Sequence, residues 1–191
     1  MAAIRDGNKA ALLVVDVQVG VVKQDWDTAR IIKNINVAVD KAHKEGVPVI
    51  WVQHVNEELV QDSPDWQLAP DLQPAEGDFH IYKHYNSSFE QTELEDTLAT
   101  HGVNHIVLAG AETNWCIRAT AYAALERGYD LTLVRDAHTT GTIELADGSK
   151  IMAADIVRDL NIVMNWVSYP GRANRSMAAE ELDFVIPGGG K

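Results

Sequence analysis

The chain has 191 residues, with 16 lysines and arginines against 28 aspartates and glutamates, and a formal net charge of -12 at pH 7. An acidic surface repels nucleic-acid phosphates and anionic lipid, so we expect neither as a partner. The single cysteine excludes an intramolecular disulfide and a cysteine-rich zinc site. With 46% hydrophobic residues, the chain is predicted to form one globular domain over residues 1–191 that binds a small molecule.

The sequence carries no sign of a targeting or membrane segment. Its first ten residues, MAAIRDGNKA, lack the cationic stretch and the apolar run of about 7 to 15 residues that mark a secretory signal. No stretch approaches the roughly 18 consecutive apolar residues of a membrane-spanning helix. We therefore expect a cytoplasmic protein with no membrane partner.

Short apolar runs alternate along the chain with longer segments of helical period. This alternation is typical of a three-layer α/β fold, in which helices cover both faces of a parallel sheet. The helix expected over residues 89–100 has a capping-box pattern at its start, with Ser88 three residues before Gln91. The predicted strands are residues 10–15, 47–52, 78–83, 105–109, 131–134 and 161–167, and the predicted helices are residues 28–45, 89–100, 114–127 and 150–160.

Residues 56–77 interrupt this alternation. They contain three prolines, Trp66 and many acidic residues, and they show no clear period. A loop of this length inside a compact domain is usually a lid, a binding loop or a subunit contact. The sequence leaves both a role at the site and a purely structural role open.

Reactive side chains follow three of the predicted strands. Asp16 ends the first strand, Lys83 ends the third, and Cys116 lies a few residues beyond the fourth, in the first turn of the next helix. In an open parallel sheet, ligands bind in the crevice outside the carboxyl ends of the strands. The three side chains are therefore predicted to meet in one crevice.

Cys116 is the candidate nucleophile. A helix N-terminus presents unpaired N–H groups and the positive end of the helix dipole, which favour a thiolate and lower the thiol pKa, and Lys83 would act in the same direction. Asp16 would then accept the thiol proton as general base and return it to a leaving amine. Free N–H groups in the turn 112–116 would hold the oxyanion of a tetrahedral intermediate.

Each of these residues also has a structural interpretation. A lone cysteine is more often a small buried hydrophobic residue than a nucleophile. Asp16 and Lys83 could form an ion pair with no chemistry, or Asp16 could cap a helix. A redox sensor is disfavoured because no second cysteine can resolve a sulfenic acid, and no glycine-rich dinucleotide or P-loop motif follows a strand.

Three blocks of the sequence resemble the signature blocks of the isochorismatase-like cysteine hydrolases, a family that includes nicotinamidases and carbamoylsarcosine amidase. They are ALLVVDVQ at residues 11–18, KHYNSSFEQTEL at 83–94 and GAETNWCIRATAYAALERGYDLTLVRDA at 110–137. The blocks occur in the family's order and, with the helices between them, span most of the chain. Lys, Ser-x-Phe-x-x-Thr-x-Leu and Thr-x-x-Cys-x-x-x-Thr-x-x-x-Ala together form a specific combination.

The resemblance implies a catalytic triad of Asp16, Lys83 and Cys116, and a six-stranded, mainly parallel sheet in the order 3-2-1-4-5-6. It also implies a cis peptide bond between Ala111 and Glu112, with the backbone N–H groups of Glu112 and Cys116 as oxyanion donors. Related enzymes are commonly oligomers whose subunits complete each other's pockets. A homo-oligomer, either a dimer or a tetramer, is therefore expected.

Two departures from the family pattern narrow the expected activity. Nicotinamidases carry an Asp-x-His pair after the second strand, with further histidines, that holds a divalent metal. This chain has Gln53, His54, Val55 and Asn56 there, so we expect no metal site. True isochorismatases cleave a vinyl ether and lack the nucleophilic cysteine, so Cys116 disfavours that activity.

We therefore predict a metal-independent hydrolase, without a cofactor, that cleaves a C–N bond of a small amide or carbamoyl compound through a thioester on its cysteine. An isochorismatase-type ether hydrolase and a catalytically silent scaffold that binds a small molecule are the alternatives. The candidate substrate-binding residues are Gln18, His54, Tyr85 and Trp115.

Overall fold

The computed structural model describes residues 5–186 as a three-layer arrangement of helices around a parallel sheet. The strands are β1 (Lys9–Val15), β2 (Val49–His54), β3 (Phe79–Lys83), β4 (Val103–Ala111), β5 (Asp130–Thr139), β6 (Ile143–Glu144), β7 (Lys150–Ile151) and β8 (Asn174–Met177). The helices are α1 (Val19–Val22), α2 (Thr28–Glu45), α3 (Leu94–Thr100), α4 (Arg118–Glu126) and α5 (Ala153–Trp166), with a π-helical turn at Thr113–Ile117 and a 3-10 turn at Ala179–Glu181.

The main sheet has the order β3-β2-β1-β4-β5-β8, and every neighbouring pair is parallel. This confirms the predicted α/β fold and strand order, with β8 in the sixth position. Alternate residues of β1 face opposite layers: Leu12 and Val14 pack with α2, whereas Leu13 and Val15 pack with α3, α4 and α5. Because both faces are covered, the central strands are continuous apolar runs.

The sixth strand lies later in the chain than the sequence pattern indicates. The prediction of a strand over residues 161–167 is wrong, because α5 extends through this segment to its last turn. The buried residues Ile156, Leu160 and Met164 keep the spacing of one helical face, while Ile162 is 53% exposed. The apolar residues of this segment therefore continue a helical stripe.

The helix expected over residues 89–100 begins only at Leu94. Ser88 does not cap it, because the backbone N–H and the hydroxyl of Ser88 both bond the hydroxyl of Thr120 on α4. Gln91 has a φ of 53°, so the chain turns through a left-handed residue before the helix starts. The predicted capping box is therefore wrong, and Ser88 instead ties the β3–α3 connection to α4.

The long connection between β2 and β3 packs against the segment that follows β1. The backbone N–H groups of Val19 and Gly20 donate to carbonyls of this connection, and Ala69 donates back to Val17. Its side chains Leu59 and Trp66 are buried. The connection is thus folded beside the carboxyl end of β1.

Gly110 permits β4 to pass close to β1 next to the crevice. Its φ is 124°, and a Cβ there would collide with the backbone oxygen of Val15. Within residues 5–186, no helix combines the length and the apolar character needed to cross a bilayer.

Candidate active site

The side chains of Asp16, Lys83 and Cys116 meet at the carboxyl end of the sheet. Lys83 Nζ lies 2.6 Å from Asp16 Oδ2 and 3.3 Å from Cys116 Sγ. Asp16 directly follows β1, Lys83 ends β3, and the π-helical turn after β4 carries the thiol. The structure thus brings together the three residues that the strand ends indicated.

Lys83 is the centre of this cluster. Its side chain is 0% exposed, and its ammonium group also lies 3.0 Å from His54 Nδ1 and 3.2 Å from the carbonyl oxygen of Tyr85. An ammonium group has three N–H bonds, so acceptors from four residues saturate it. The carboxylate of Asp16 supplies the negative charge that a buried ammonium needs.

The carboxylate of Asp16 lies near the thiol. Its backbone is left-handed, with a φ of 53°, a conformation that aspartate adopts more readily than most residues. Oδ2 is bound by Lys83, whereas Oδ1 is buried without a hydrogen-bond partner among the described residues. A carboxylate oxygen of Asp16 and Cys116 Sγ lie within 4.8 Å of each other. This arrangement suits removal of the thiol proton by Asp16.

The thiol of Cys116 is protonated at neutral pH, contrary to the prediction of a lowered pKa. Burial, and then the negative charge of Asp16, raise the pKa of the thiol to about 12, and the opposing effect of Lys83 is smaller. The helix terminus and Lys83 are visible in the sequence, whereas the desolvation of a side chain that is 7% exposed is not. The sulfur therefore has to lose its proton during a reaction rather than before it.

The turn that carries Cys116 begins at a cis peptide bond between Ala111 and Glu112. The carbonyl oxygen of Glu112 accepts hydrogen bonds from the N–H groups of Trp115 and Ile117, which closes the turn. The backbone N–H groups of Glu112 and Cys116 remain the predicted oxyanion donors.

His138, near the end of β5, braces this turn through Thr113. Its Nδ1 lies 2.9 Å from Thr113 Oγ1, and its Nε2 lies 3.2 Å from Asn161 Oδ1. The amide nitrogen of Asn161 donates to the carbonyl of Arg135, so its oxygen faces the ring and Nε2 carries the ring proton. Burial lowers the pKa of His138 to about 4, so the ring is neutral. The sequence analysis assigned no role to His138. Its position near the end of a strand was the signal that could have indicated one.

Gln18 and His54 differ in what they can offer a ligand. Gln18 Nε2 donates to the backbone oxygens of His54 and Trp66, and Gln18 Oε1 accepts the N–H of His54. Its buried amide is therefore used by the protein, and Gln18 supports His54 instead of contacting a substrate as the sequence suggested. His54 Nδ1 faces the ammonium of Lys83, and burial together with that charge lowers the pKa of His54. The neutral ring then carries its proton on Nε2.

Tyr85 and Trp115 are 48% and 55% exposed, and their contact with a substrate stays a prediction. A cavity of about 420 Å³ adjoins Glu112, and Glu58 and Asp65 of the β2–β3 connection also line it. The connection that the sequence left unassigned therefore borders a cavity next to the predicted oxyanion donors.

Asp16, His54 and Cys116 each place one potential ligand atom within 4.8 Å of the other two, as a metal ion would require. All three residues, however, already face the ammonium of Lys83. A divalent cation would have to displace a buried positive charge from its hydrogen bonds. These residues therefore do not fit a metal site.

The fold defines a class of protein, the doubly wound α/β domains, and this cluster lies where the strand order reverses. Residues 10–161 match the family model described as the isochorismatase domain. The chain belongs to the isochorismatase family.

Known proteins of the family resemble this chain over much of its length. Streptothricin hydrolase of Streptomyces noursei is 32% identical over 145 residues, 72% of this chain and 57% of that protein. Maleamate amidohydrolase of Pseudomonas putida is 34% identical over 89 residues, 46% of this chain and 42% of that protein. This chain therefore spans less than two thirds of either relative.

Among solved structures, an isochorismatase from Pseudomonas putida KT2440 superimposes with a TM-score of 0.81 at 26% identity. The match covers 92% of this chain and 90% of that one. The three-layer fold is therefore shared across nearly the whole domain.

Proposed function

We propose that this protein is an amidohydrolase that cleaves the C–N bond of a small amide or carbamoyl compound through a thioester on Cys116. The observation that carries the proposal is the convergence of Asp16 and Cys116 on the buried ammonium of Lys83. An ion pair with a purely structural role would not require a thiol as third partner.

In the first half of the reaction, Cys116 Sγ attacks the carbonyl carbon while Asp16 takes the S–H proton. The N–H groups of Glu112 and Cys116 bind the resulting oxyanion, a contribution of about 3 to 4 kcal/mol per donor in other enzymes. Asp16 then gives its proton to the nitrogen, the C–N bond breaks, and ammonia or an amine leaves a thioester on the sulfur.

In the second half, water attacks the thioester carbon and Asp16 accepts a proton from that water. The C–S bond breaks as the second tetrahedral intermediate collapses, the acid product leaves, and the proton returns from Asp16 to the sulfur. Lys83 holds a positive charge beside both anionic groups throughout. The protons balance over the cycle without a cofactor.

The names of the relatives support this chemistry. A maleamate amidohydrolase acts on an amide, and a streptothricin hydrolase is also a hydrolase. The proposal takes from these names only that the substrate is a small compound with a C–N bond that can be hydrolysed, because this chain spans about half of each relative.

An ammonia-release screen over small amides, carbamoyl compounds and ureides tests the proposal. With a turned-over substrate, Cys116→Ala should abolish ammonia release, and mass spectrometry of a rapidly quenched wild-type reaction should show the acyl adduct on the peptide that contains Cys116. Thr120→Ser, a conservative change on the neighbouring helix, is the matched control for activity lost during preparation of a variant. Wild-type turnover by Cys116→Ala would overturn the proposal, and activity lost on chelation would overturn its metal-free part.

The raised pKa of the thiol favours one other candidate, a scaffold that binds a small molecule without cleaving it. Such a protein should show a ligand-induced rise in unfolding temperature that Cys116→Ala leaves unchanged. It should give neither ammonia nor an acyl adduct with the same ligand.

A further inference from the structure

The crevice contains a hydrogen-bond donor, on His54, that takes no part in the proposed reaction. His54 Nδ1 lies 3.0 Å from Lys83 Nζ. An ammonium group can only donate hydrogen bonds, so Nδ1 must be the acceptor in this contact. A neutral imidazole carries one proton, which then resides on Nε2. The contact with Lys83 therefore sets the tautomer of His54 and leaves an N–H on the other side of the ring.

The Nε2–H group of His54 is available to a ligand. The ring is half-buried at the end of β2, and within residues 5–186 its Nε2 atom bonds no protein group. Nε2 is also not among the polar atoms that are both unpartnered and sealed from solvent. In small-molecule sites, a few such polar groups fix the orientation of the ligand. An acceptor atom of a ligand can therefore bind this donor.

The backbone of His54 is held on both sides by Gln18. Gln18 Oε1 accepts the N–H of His54 at 2.7 Å, and Gln18 Nε2 donates to the carbonyl oxygen of His54 at 3.0 Å. Gln18 is itself tied to the carbonyl of Trp66 at 2.9 Å. With its backbone held by Gln18 and its ring by Lys83, His54 presents its free N–H in a defined direction.

This donor lies beside the atoms that react in the proposed mechanism. One ring nitrogen of His54 lies within 4.8 Å of both Cys116 Sγ and a carboxylate oxygen of Asp16. The scissile carbon bonds to Sγ, and its oxygen is assigned to the backbone donors of the turn 112–116. An oxygen atom a few bonds from the scissile carbon can therefore reach Nε2 at the same time. His54 would thus bind a second oxygen of the substrate.

The surroundings of His54 favour an uncharged oxygen over a carboxylate. A protonated ring would direct a second N–H at the ammonium of Lys83, so the ring stays neutral. That ammonium is buried among protein acceptors and is not free to pair with a substrate anion. Moving a carboxylate from water to one neutral N–H costs more than moving a carbonyl group. The cavity beside Glu112, which Glu58 and Asp65 also line, adds further negative charge.

We infer that His54 is a specificity-determining residue whose Nε2–H binds a second, uncharged carbonyl oxygen of the substrate. The preferred substrates are then amides with a further carbonyl group, such as diamides and acylureas, rather than half-amides that end in a carboxylate. The inference rests on the proposed function, because that function places the scissile carbon at Cys116.

Three matched amides test this selectivity. Malonamide carries a second amide carbonyl, isovaleramide replaces that group with a branched alkyl group of the same shape, and malonamate replaces it with a carboxylate. Succinamide, isocaproamide and succinamate form the same set with one more carbon between the groups. For each compound we would measure kcat/KM for ammonia release and the protection of Cys116 against iodoacetamide. At one of the two spacings, the diamide should exceed both other compounds by about tenfold.

His54→Asn removes the outward donor and keeps the inward contact. The Oδ1 atom of asparagine is as many bonds from Cα as Nδ1 of histidine, so it can still accept from Lys83, whereas the shorter side chain does not reach the position of Nε2. The ratio of diamide to alkyl amide should therefore fall about tenfold. The pH dependence of Cys116 alkylation, which reports on the contact with Lys83, should stay as in the wild type.

Two further variants serve as controls. His54→Gln carries an amide N–H as many bonds from Cα as Nε2, so it should retain the preference for the diamide. His84→Asn makes the same change in an exposed histidine that bonds the carbonyl of Val55, and it should also retain the wild-type preference.

The outcomes separate this inference from the proposed function. Equal values for the diamide and the alkyl amide at both spacings, including no protection by either, would overturn the role of His54. A diamide preference that persists in His54→Asn would overturn it as well, and a preference for the half-amides would overturn the uncharged acceptor. If a diamide protects Cys116 selectively but yields neither ammonia nor an acyl adduct, the proposed function fails and the binding role of His54 stands.

Discussion

The two sides of the crevice hold the thiol in different ways. From β1, β2 and β3 come the ionisable side chains Asp16, His54 and Lys83, which are joined by one ammonium group. From β4 and β5 comes a backbone turn, braced by a neutral histidine, His138, through Thr113. The side formed by β1, β2 and β3 thus places charged groups beside the thiol, and the side formed by β4 and β5 fixes the position of the backbone that carries it.

The difference sets how each side responds to substitution. A buried charge depends on its partner, so removing one member leaves the other uncompensated. Removing a neutral hydrogen-bonded group costs less stability. The turn that this group supports, however, is then no longer held in a defined position. Substitutions of the charged residues should change the pKa of the thiol. Substitutions that affect the backbone turn should change the turnover rate without changing its dependence on pH.

The largest effect is expected from Lys83→Met. The substitution leaves the carboxylate of Asp16 buried without a counter-charge, which should cost about 3 to 5 kcal/mol of unfolding free energy and abolish turnover. Denaturant unfolding measures the first effect. Lys41→Met is the matched control and should cost far less, because within residues 5–186 the hydrogen bonds of Lys41 go to backbone carbonyls. A similar cost for both variants would contradict the central position of Lys83.

Asp16→Asn should lower kcat by roughly 100-fold or more, because the general base is lost. The same change should make the thiol more acidic, since Asp16 raises its pKa. Alkylation of Cys116 by iodoacetamide, followed against pH, should then start at lower pH than in the wild type, although the enzyme is slower. Lys83 lowers that pKa, so Lys83→Met, where it remains folded, should shift alkylation the opposite way. Shifts of the same sign would contradict the assigned charges.

His138→Phe should have the smallest effect of the three. It leaves Thr113 and Asn161 without their partner, at a cost of about 1 to 3 kcal/mol, and it should reduce kcat by about 10- to 100-fold through misplacement of the turn. His105→Phe is the matched control, because His105 is also buried, with a pKa lowered to about 4, but bonds Thr132 away from the thiol. It should lose stability and keep kcat.

The pH dependence of stability tests whether His138 is neutral in the fold. The pKa of His138 falls from 6.5 to about 4 in the fold, so the unfolded chain binds the extra proton between these values. Wild-type stability should therefore decline as the pH falls from about 6.5 to about 4, and less so in His138→Phe. An equal decline in both proteins would show that a group other than His138 takes up the proton in this pH range.

The three central residues could be predicted because strand ends in a parallel sheet share one edge. Asp16 and Lys83 are adjacent to apolar runs that alone locate the strands, and Cys116 follows a third run. The sheet order came from family resemblance rather than from the residues. Between them, these two sources fixed where the crevice lies.

The remainder depended on tertiary contacts that no local pattern reports. Residues 161–167 are apolar enough for a strand, and only the packing of α5 against the sheet assigns them to a helix. The thiol pKa depends on burial, which sequence spacing does not reveal. His138 matters through Thr113, a neighbour more than 20 residues away in the chain.

The position of Lys83 between a carboxylate and a thiol has a consequence for the energetics of proton transfer. In the proposed reaction, moving the proton from sulfur to Asp16 exchanges one anion for another, and both lie within reach of the same ammonium. The cluster is electrically neutral before the exchange and after it. Little side-chain rearrangement is then needed around these buried groups. A thiol that is weakly acidic at rest can therefore become nucleophilic without any change in the total charge buried there.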